Sequence, residues 1–122
     1  MDSVKPRISV EYIGQATVLT VTDQKLLEEQ AIGNLQDSIM SVVEQGDDQN
    51  LIIDFRNVRF LSSAVLGLLI RVSKRVYERN GQLRLCNIDP KIQEIFRITR
   101  LTKVFDIYKD LDSALEGLAE QQ

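Results

Sequence analysis

Apolar positions along the chain change their spacing several times, and each change marks an element. Ile8, Val10 and Tyr12 alternate with polar residues, Gly14-Gln15 interrupts, and Val18, Leu19 and Val21 resume a β-rich run, which predicts a hairpin of two strands. From Leu27 the period lengthens. Ile32, Leu35, Ile39 and Val42-Val43 recur three or four apart, predicting one buried stripe on a helix that ends near Gly46 and packs on a sheet. Leu51-Ile52-Ile53, closed by Asp54, is a continuous apolar run and predicts a central strand covered on both faces. After a turn through Arg56 and Asn57, the stretch from Ser62 to Ile70 opens a second helix, apolar nearly all round in its first turns. It runs to about Asn80, with Gly81 at its stop. Leu83, Leu85 and Cys86 predict a further strand, and Pro90 suits the first turn of a helix carrying Ile92, Ile95 and Phe96. Val104 to Tyr108 predicts a last strand. A closing helix starts near Asp110, with Leu111, Ala114, Leu115 and Leu118 inside and Gln121-Gln122 fraying. The order β-β-α-β-α-β-α-β-α, without repeat or linker, predicts an α/β fold. It is expected as a single domain over residues 1–122 with its core at about 8–118. A mixed sheet of about five strands carries about four helices, with right-handed crossovers between the later strands.

Composition narrows the chemistry by what it lacks. The 122 residues contain no His, which excludes a Ser-His-Asp triad, an imidazole general base and the usual His-bearing zinc or non-haem iron centres. No metal site and no cofactor are expected. The single Cys86 can form neither an internal disulfide nor a thiolate cluster, and its apolar neighbours predict a buried, inert thiol in a reducing compartment. The segment from Met1 to Arg7 is polar and carries Pro6, and no apolar run approaches the ~20 residues of a membrane span. A cytoplasmic protein free of the membrane is therefore expected. With 15 basic residues against 18 acidic ones the formal charge is −3, which argues against a direct nucleic-acid footprint. A glycine-rich phosphate loop and an activated nucleophile are both missing, so an enzyme is the least supported reading.

The most informative stretch runs from Asp54 to Leu69: a buried strand, a short loop, and two serines at the start of an apolar helix. A helix N-terminus presents unpaired backbone N–H groups and the positive end of the macrodipole, so a hydroxyl there is well placed to carry or approach an anion. The alternative is that Ser62 or Ser63 is a helix cap contributing about 1 kcal/mol. Asp54 and Asp23 form the charged rim of a small pocket near Ser63, or Asp54 bonds the amides of the loop that follows its strand. Arg71, Arg75 and Arg79 share one helix face beside Lys74. That stripe is a solvated surface balanced by Glu78, or else a surface for an acidic partner. Arg97, Arg100 and Lys103 read as surface charge, and Leu26-Leu27 with Glu28-Glu29 as the start of the first helix.

The run Phe60-Leu61-Ser62-Ser63-Ala64-Val65-Leu66-Gly67-Leu68-Leu69, following the strand Leu51 to Asp54, resembles the signature of the STAS domain, the anti-sigma factor antagonist family. The downstream run Cys86-Asn87-Ile88-Asp89-Pro90, then Ile95-Phe96, Leu101, Val104-Phe105, Asp112 and Ala114-Leu115, is similar to the family's closing helix-strand-helix. The likeness extends from Ile8 to Leu118. Ser62 stands where many members have Asp, Val65 where most have Gly, and the loop Thr22 to Leu26 departs from the family's usual Gly-x-Leu-Asp.

This resemblance implies that Ser63 is the residue phosphorylated by an ATP-dependent anti-sigma factor serine kinase, with Ser62 as the secondary phosphoacceptor, and that a phosphatase resets the switch. It implies a binding module that frees a sigma factor by competition. Together with Asp23 and Asp54, the residues Ser62, Ser63, Ala64 and Val65 make up the expected partner-binding set, with Val65 on the surface or in the first helical turn where a partner backbone approaches. A scaffold subunit of a larger signalling assembly and a small-ligand or nucleotide-sensing domain remain as alternatives, and sheets of this type can stand alone or pair into a homo-oligomer.

Overall fold

A computed structural model describes residues 8–119, and the expected fraying at Gln121-Gln122 lies outside them. In chain order the elements are β1 (Ile8–Ile13), β2 (Ala16–Val21), β3 (Lys25–Leu26), α1 (Glu29–Val43), β4 (Asn50–Asp54), β5 (Phe60–Leu61), α2 (Ser63–Glu78), β6 (Gln82–Cys86), α3 (Pro90–Ile98), a 3₁₀ turn at Leu101–Lys103, β7 (Asp106–Tyr108) and α4 (Leu111–Ala119). Five strands form one sheet in the order β1-β2-β4-β6-β7, antiparallel between β1 and β2 and parallel elsewhere. The sheet is therefore mixed, and β4 lies at its centre, as the apolar run Leu51-Ile52-Ile53 predicts.

Alternation along the central strands divides the core in two. Leu19, Leu51, Ile53, Leu83 and Leu85 pack with Leu35 and Ile39 of α1, with Val65, Leu69 and Val72 of α2, and with Ile92 and Phe96 of α3. Residues of the opposite parity on the same strands, Val18, Ile52 and Cys86, pack on the other face with Ala114 and Leu118 of α4. Each fully buried Leu or Ile contributes about 1.5–3 kcal/mol, so both layers are needed to hold a sheet of this size. On the α4 side, burial pushes the Cys86 thiol up to about 12, which keeps it protonated. Arg84 is also buried there, donating Nη1 to the Ala114 carbonyl at 2.8 Å with its guanidinium 5.2 Å from the Tyr108 ring centroid.

Two boundaries differ from expectation for visible reasons. Helix α1 stops at Val43 rather than near Gly46, because the Gln49 Nε2 group donates to the carbonyls of Val42, Val43 and Gly46 at 3.0, 3.1 and 3.0 Å and so closes the helix end. The last strand begins at Asp106 rather than Val104. Arg100, at φ 64°, turns the chain into the 3₁₀ segment and leaves Val104 exposed, while Phe105 packs edge-on to Phe96.

The stop at Gly81 also works differently from a simple left-handed glycine. Asn80 takes the left-handed backbone (φ 63°), and the Gly81 N–H bonds the Val76 carbonyl at 2.9 Å. Glycine is needed at 81 for space, since a Cβ there would stand 2.6 Å from the Gln49 carbonyl oxygen. Gly81→Ala is therefore expected to destabilise the fold by roughly 2 kcal/mol, measured by urea denaturation, through forced backbone displacement at the α2–β6 junction.

Candidate functional site

The first turn of α2 is positioned by a contact too short to carry a sequence period. β3 and β5 pair in parallel over two residues each, Lys25 with Phe60 and Leu26 with Leu61. The Arg59 N–H donates to the Gln24 carbonyl at 2.8 Å, and the Ser62 N–H to the Leu26 carbonyl at 3.0 Å. Leu26 is fully buried beneath this pairing and anchors it. The loop after β2 is thereby fixed to the segment that carries the two serines.

Ser62 occupies the cap position with extended backbone, but its hydroxyl makes no capping hydrogen bond, so the helix-cap reading of this residue fails. Its carbonyl accepts from the Val65 N–H at 3.0 Å. Ser63, the first helical residue, and Ala64 are exposed, while Ser62 is half-buried. Beside them a groove of about 440 Å³ runs between α1 and α2, lined by Leu27, Ile32, Gly33, Ser62, Ala64 and Arg71. A second hollow of about 200 Å³, lined by Leu27, Phe60, Lys91 and Ile95, continues it on the other side of Leu27. Leu27 and Phe60 are 53% and 51% exposed, large values for such apolar side chains. The Lys25 ammonium lies 5.8 Å from the Phe60 ring centroid.

Ser63 is thus an exposed hydroxyl in the first turn of α2, flanked by Ser62 and Ala64 of a groove whose lining mixes the apolar Leu27 and Ile32 with Glu29 and Arg71. The sequence reads Leu27 as part of the start of the first helix and Phe60 only as the opening of the motif, and neither belongs to the expected partner-binding set. The doublet Leu26-Leu27 is the signal for Leu27, since a strand covered on one face buries only one member of such a pair.

Two members of the expected partner-binding set do not belong to this surface. Val65 is 0% exposed and packs in the core with Leu68, Leu69 and Val72, because the helical period turns it inward two residues after Ser63. Asp54 is likewise 0% exposed, and it shares the parity of Ile52, which puts it on the α4 face of the sheet, opposite α2. Its Oδ1 accepts from the Arg56 backbone N–H at 2.9 Å and from Asn87 Nδ2 at 3.0 Å, and its Oδ2 from Arg56 Nη2 at 2.5 Å. The carboxylate thus bonds the loop amide, the second of the two readings open for it. Asp23 is half-buried in the turn before β3 and lines neither hollow.

The arginine stripe is divided in a similar way. Arg75 bonds Glu44 at 2.6 Å and Glu78 at 3.3 Å, and Arg79 bonds Glu44 at 2.6 Å and Asp47 at 2.9 Å. Hydrogen bonds from Arg75 hold the Glu44 carboxyl down at about 2. These two arginines therefore tie α2 to the end of α1. Arg71 instead faces the groove, bonding the neutral Gln36. Of the second basic cluster, Arg97 pairs with Glu94 on the surface.

Gly33 sits in the interior of α1 at the wall of the groove, with no atom within 4 Å of where a Cβ would stand. Gly33→Ala is expected to stabilise the fold by about 0.5–1 kcal/mol in urea denaturation, since helix propensity is gained without a clash.

Among the described residues no cluster of His, Cys, Asp and Glu could hold a metal, and no helix is long and apolar enough to cross a membrane.

Comparison with known proteins agrees with this geometry. The chain is 32% identical over 73 residues to the anti-sigma-B factor antagonist of Bacillus subtilis, a match covering 60% of this chain and 65% of that protein, just under two thirds of its length. The solved anti-sigma-factor antagonist (STAS) domain protein from Planctomyces limnophilus superimposes with a TM-score of 0.81 at 24% identity, covering 92% of this chain and 97% of that one. The Bacillus cell fate determinant SpoIIAA in its phosphorylated form superimposes with a TM-score of 0.66 at 17% identity, over 94% of this chain and 99% of that one. The family match itself spans residues 7–114, and by that match the chain belongs to the STAS domain family.

Proposed function

We propose that this chain is a cytoplasmic anti-sigma factor antagonist, a binding module that docks on a kinase-type anti-sigma factor and is switched off by phosphorylation of Ser63. The observation that carries this reading is the exposed Ser63 at the start of α2, next to Ala64, which lines a groove together with the exposed Leu27. The names of the curated relatives and the phosphorylated state of a protein of the same fold support it.

In the unmodified state Leu27, Phe60 and the uncharged serine bury against the partner at a far smaller desolvation cost than a phosphate would incur. The partner's ATP then phosphorylates the module. The Ser63 Oγ attacks the γ-phosphorus, the new O–P bond forms as the bond to ADP breaks, and the hydroxyl proton passes to a base of the kinase. The product carries about −1.5 to −2 charges at the centre of the contact, which a closed interface cannot solvate, and the complex separates. A phosphatase restores the hydroxyl by hydrolysis. In this account the chain catalyses nothing: it is substrate and competitor.

The test is capture from the cells that make it, using tagged chain with Ser63 intact, Ser63→Ala and Ser63→Glu as bait in the presence of ADP. The account expects one kinase-fold protein, identified by mass spectrometry, on the first two baits and its loss on the third. Capture of the same partner equally by all three contradicts it.

A further inference from the structure

Among the arginines on the outer face of α2, Arg75 and Arg79 are held by carboxylates, whereas Arg71 donates Nε and Nη2 to the amide oxygen of Gln36 at 3.1 and 2.7 Å. A neutral amide leaves the guanidinium charge uncompensated and holds it with only weak, exposed hydrogen bonds. The position of that charge is specific. Ser63, Gly67 and Arg71 are spaced four apart and so share one edge of the helix. The Arg71 Nη1 atom lies 3.5 Å from where a Cβ would stand on Gly67. The guanidinium therefore already reaches back one turn, over the residue without a side chain, and the next side chain on that edge is Ser63. Side chains one turn apart have Cβ atoms about 5–6 Å from each other, a gap that a phosphoryl group on Ser63 largely fills.

We propose that Arg71 is a built-in receiver for the phosphate on Ser63. Once Ser63 is phosphorylated, the guanidinium leaves Gln36, passes over Gly67 and binds the phosphate oxygens with charge-assisted hydrogen bonds. This rests on the reading of Ser63 as phosphoacceptor and adds a structural half to the switch. Arg71 lines the groove between α1 and α2, so its move from Gln36 toward Ser63 takes the guanidinium away from α1 and lays a salt bridge along the α2 wall beside Ser62 and Ala64. Phosphorylation then changes the shape of the docking surface as well as its charge. Gly67 serves the device by leaving the path clear.

The experiment uses full-length chain with phosphoserine installed at position 63 during synthesis, so it does not depend on any cellular kinase. The second ionisation of the phosphate is followed by phosphorus NMR in three backgrounds: Arg71 intact, Arg71→Gln and Gln36→Ala. Glu29 of α1 lines the same groove and opposes ionisation, but it is common to all three proteins and cancels in the comparison. A guanidinium on the phosphate favours the dianion, so the midpoint is expected about half a unit lower with Arg71 than in Arg71→Gln. That difference should shrink in high salt. Gln36→Ala removes the competing acceptor and should keep or enlarge the shift. Equal midpoints in the Arg71 and Arg71→Gln proteins, both folded by circular dichroism, overturn the receiver. An absence of phosphate on Ser63 in cells would instead strike at the phosphoacceptor reading and leave this comparison untouched.

Discussion

Asp54→Ala is expected to lower the stability of the fold by about 3 kcal/mol, roughly 10 °C in melting temperature for a chain of this size, while leaving partner docking intact. The carboxylate is fully buried at the end of the central strand and accepts from the Arg56 amide, the Arg56 guanidinium and the Asn87 side chain. Arg56 is about half exposed and returns to water at little cost, so the loss falls below that of a fully buried ion pair. The loop amide and Asn87 do lose their acceptor. Asn87 has a further stake, because its backbone is left-handed (φ 55°) and its tie to Asp54 offsets that cost of about 1 kcal/mol. Thermal denaturation gives the first number and titration with the captured partner the second. A stable Asp54→Ala protein that no longer docks would return Asp54 to the partner surface, against its position on the α4 face.

Ser63→Glu should weaken docking by roughly 30-fold to 100-fold, about 2 to 2.7 kcal/mol, in a calorimetric titration against the partner. A single carboxylate carries only part of a phosphate's charge, but on the exposed first turn of α2 it must be desolvated when the partner docks there. The same substitution favours the helix, because an acidic side chain at the first helical position complements the dipole by about 0.3–1 kcal/mol. Weaker docking therefore cannot be attributed to unfolding, and Ser63→Ala should dock like the unmodified protein. Unchanged affinity in Ser63→Glu would remove Ser63 from the interface.

The central strand and the helix count were legible because long apolar runs carry their own period. The residues Leu51 to Ile53 read as a central strand and became one, and the stripe Ile32, Leu35, Ile39 became the buried face of α1. Site residues were less legible, for two different physical reasons. The motif puts Val65 among the partner-binding residues, although its spacing to Leu68, Leu69, Val72 and Val76 already assigns it to the inner face of α2. Here the helical period was the better guide. Asp54 is the opposite case: its parity with Ile52 is plain in the sequence, but which helices cover which face of the sheet is not.

The β3–β5 pairing escaped because two residues on each side are too few to show alternation, and it is this contact that ties the Ser62 N–H to the Leu26 carbonyl. The distinction between Arg71 and its neighbours likewise depends on Glu44 and Asp47, residues 31 to 35 positions away that only the fold brings near.

The most direct measurement is phosphopeptide mapping of the protein isolated from its own cells, grown with and without stress and analysed by tandem mass spectrometry across Phe60 to Arg71. The account predicts phosphate on Ser63 whose occupancy changes with conditions. Full coverage of that peptide with Ser63 unmodified under every condition would contradict it.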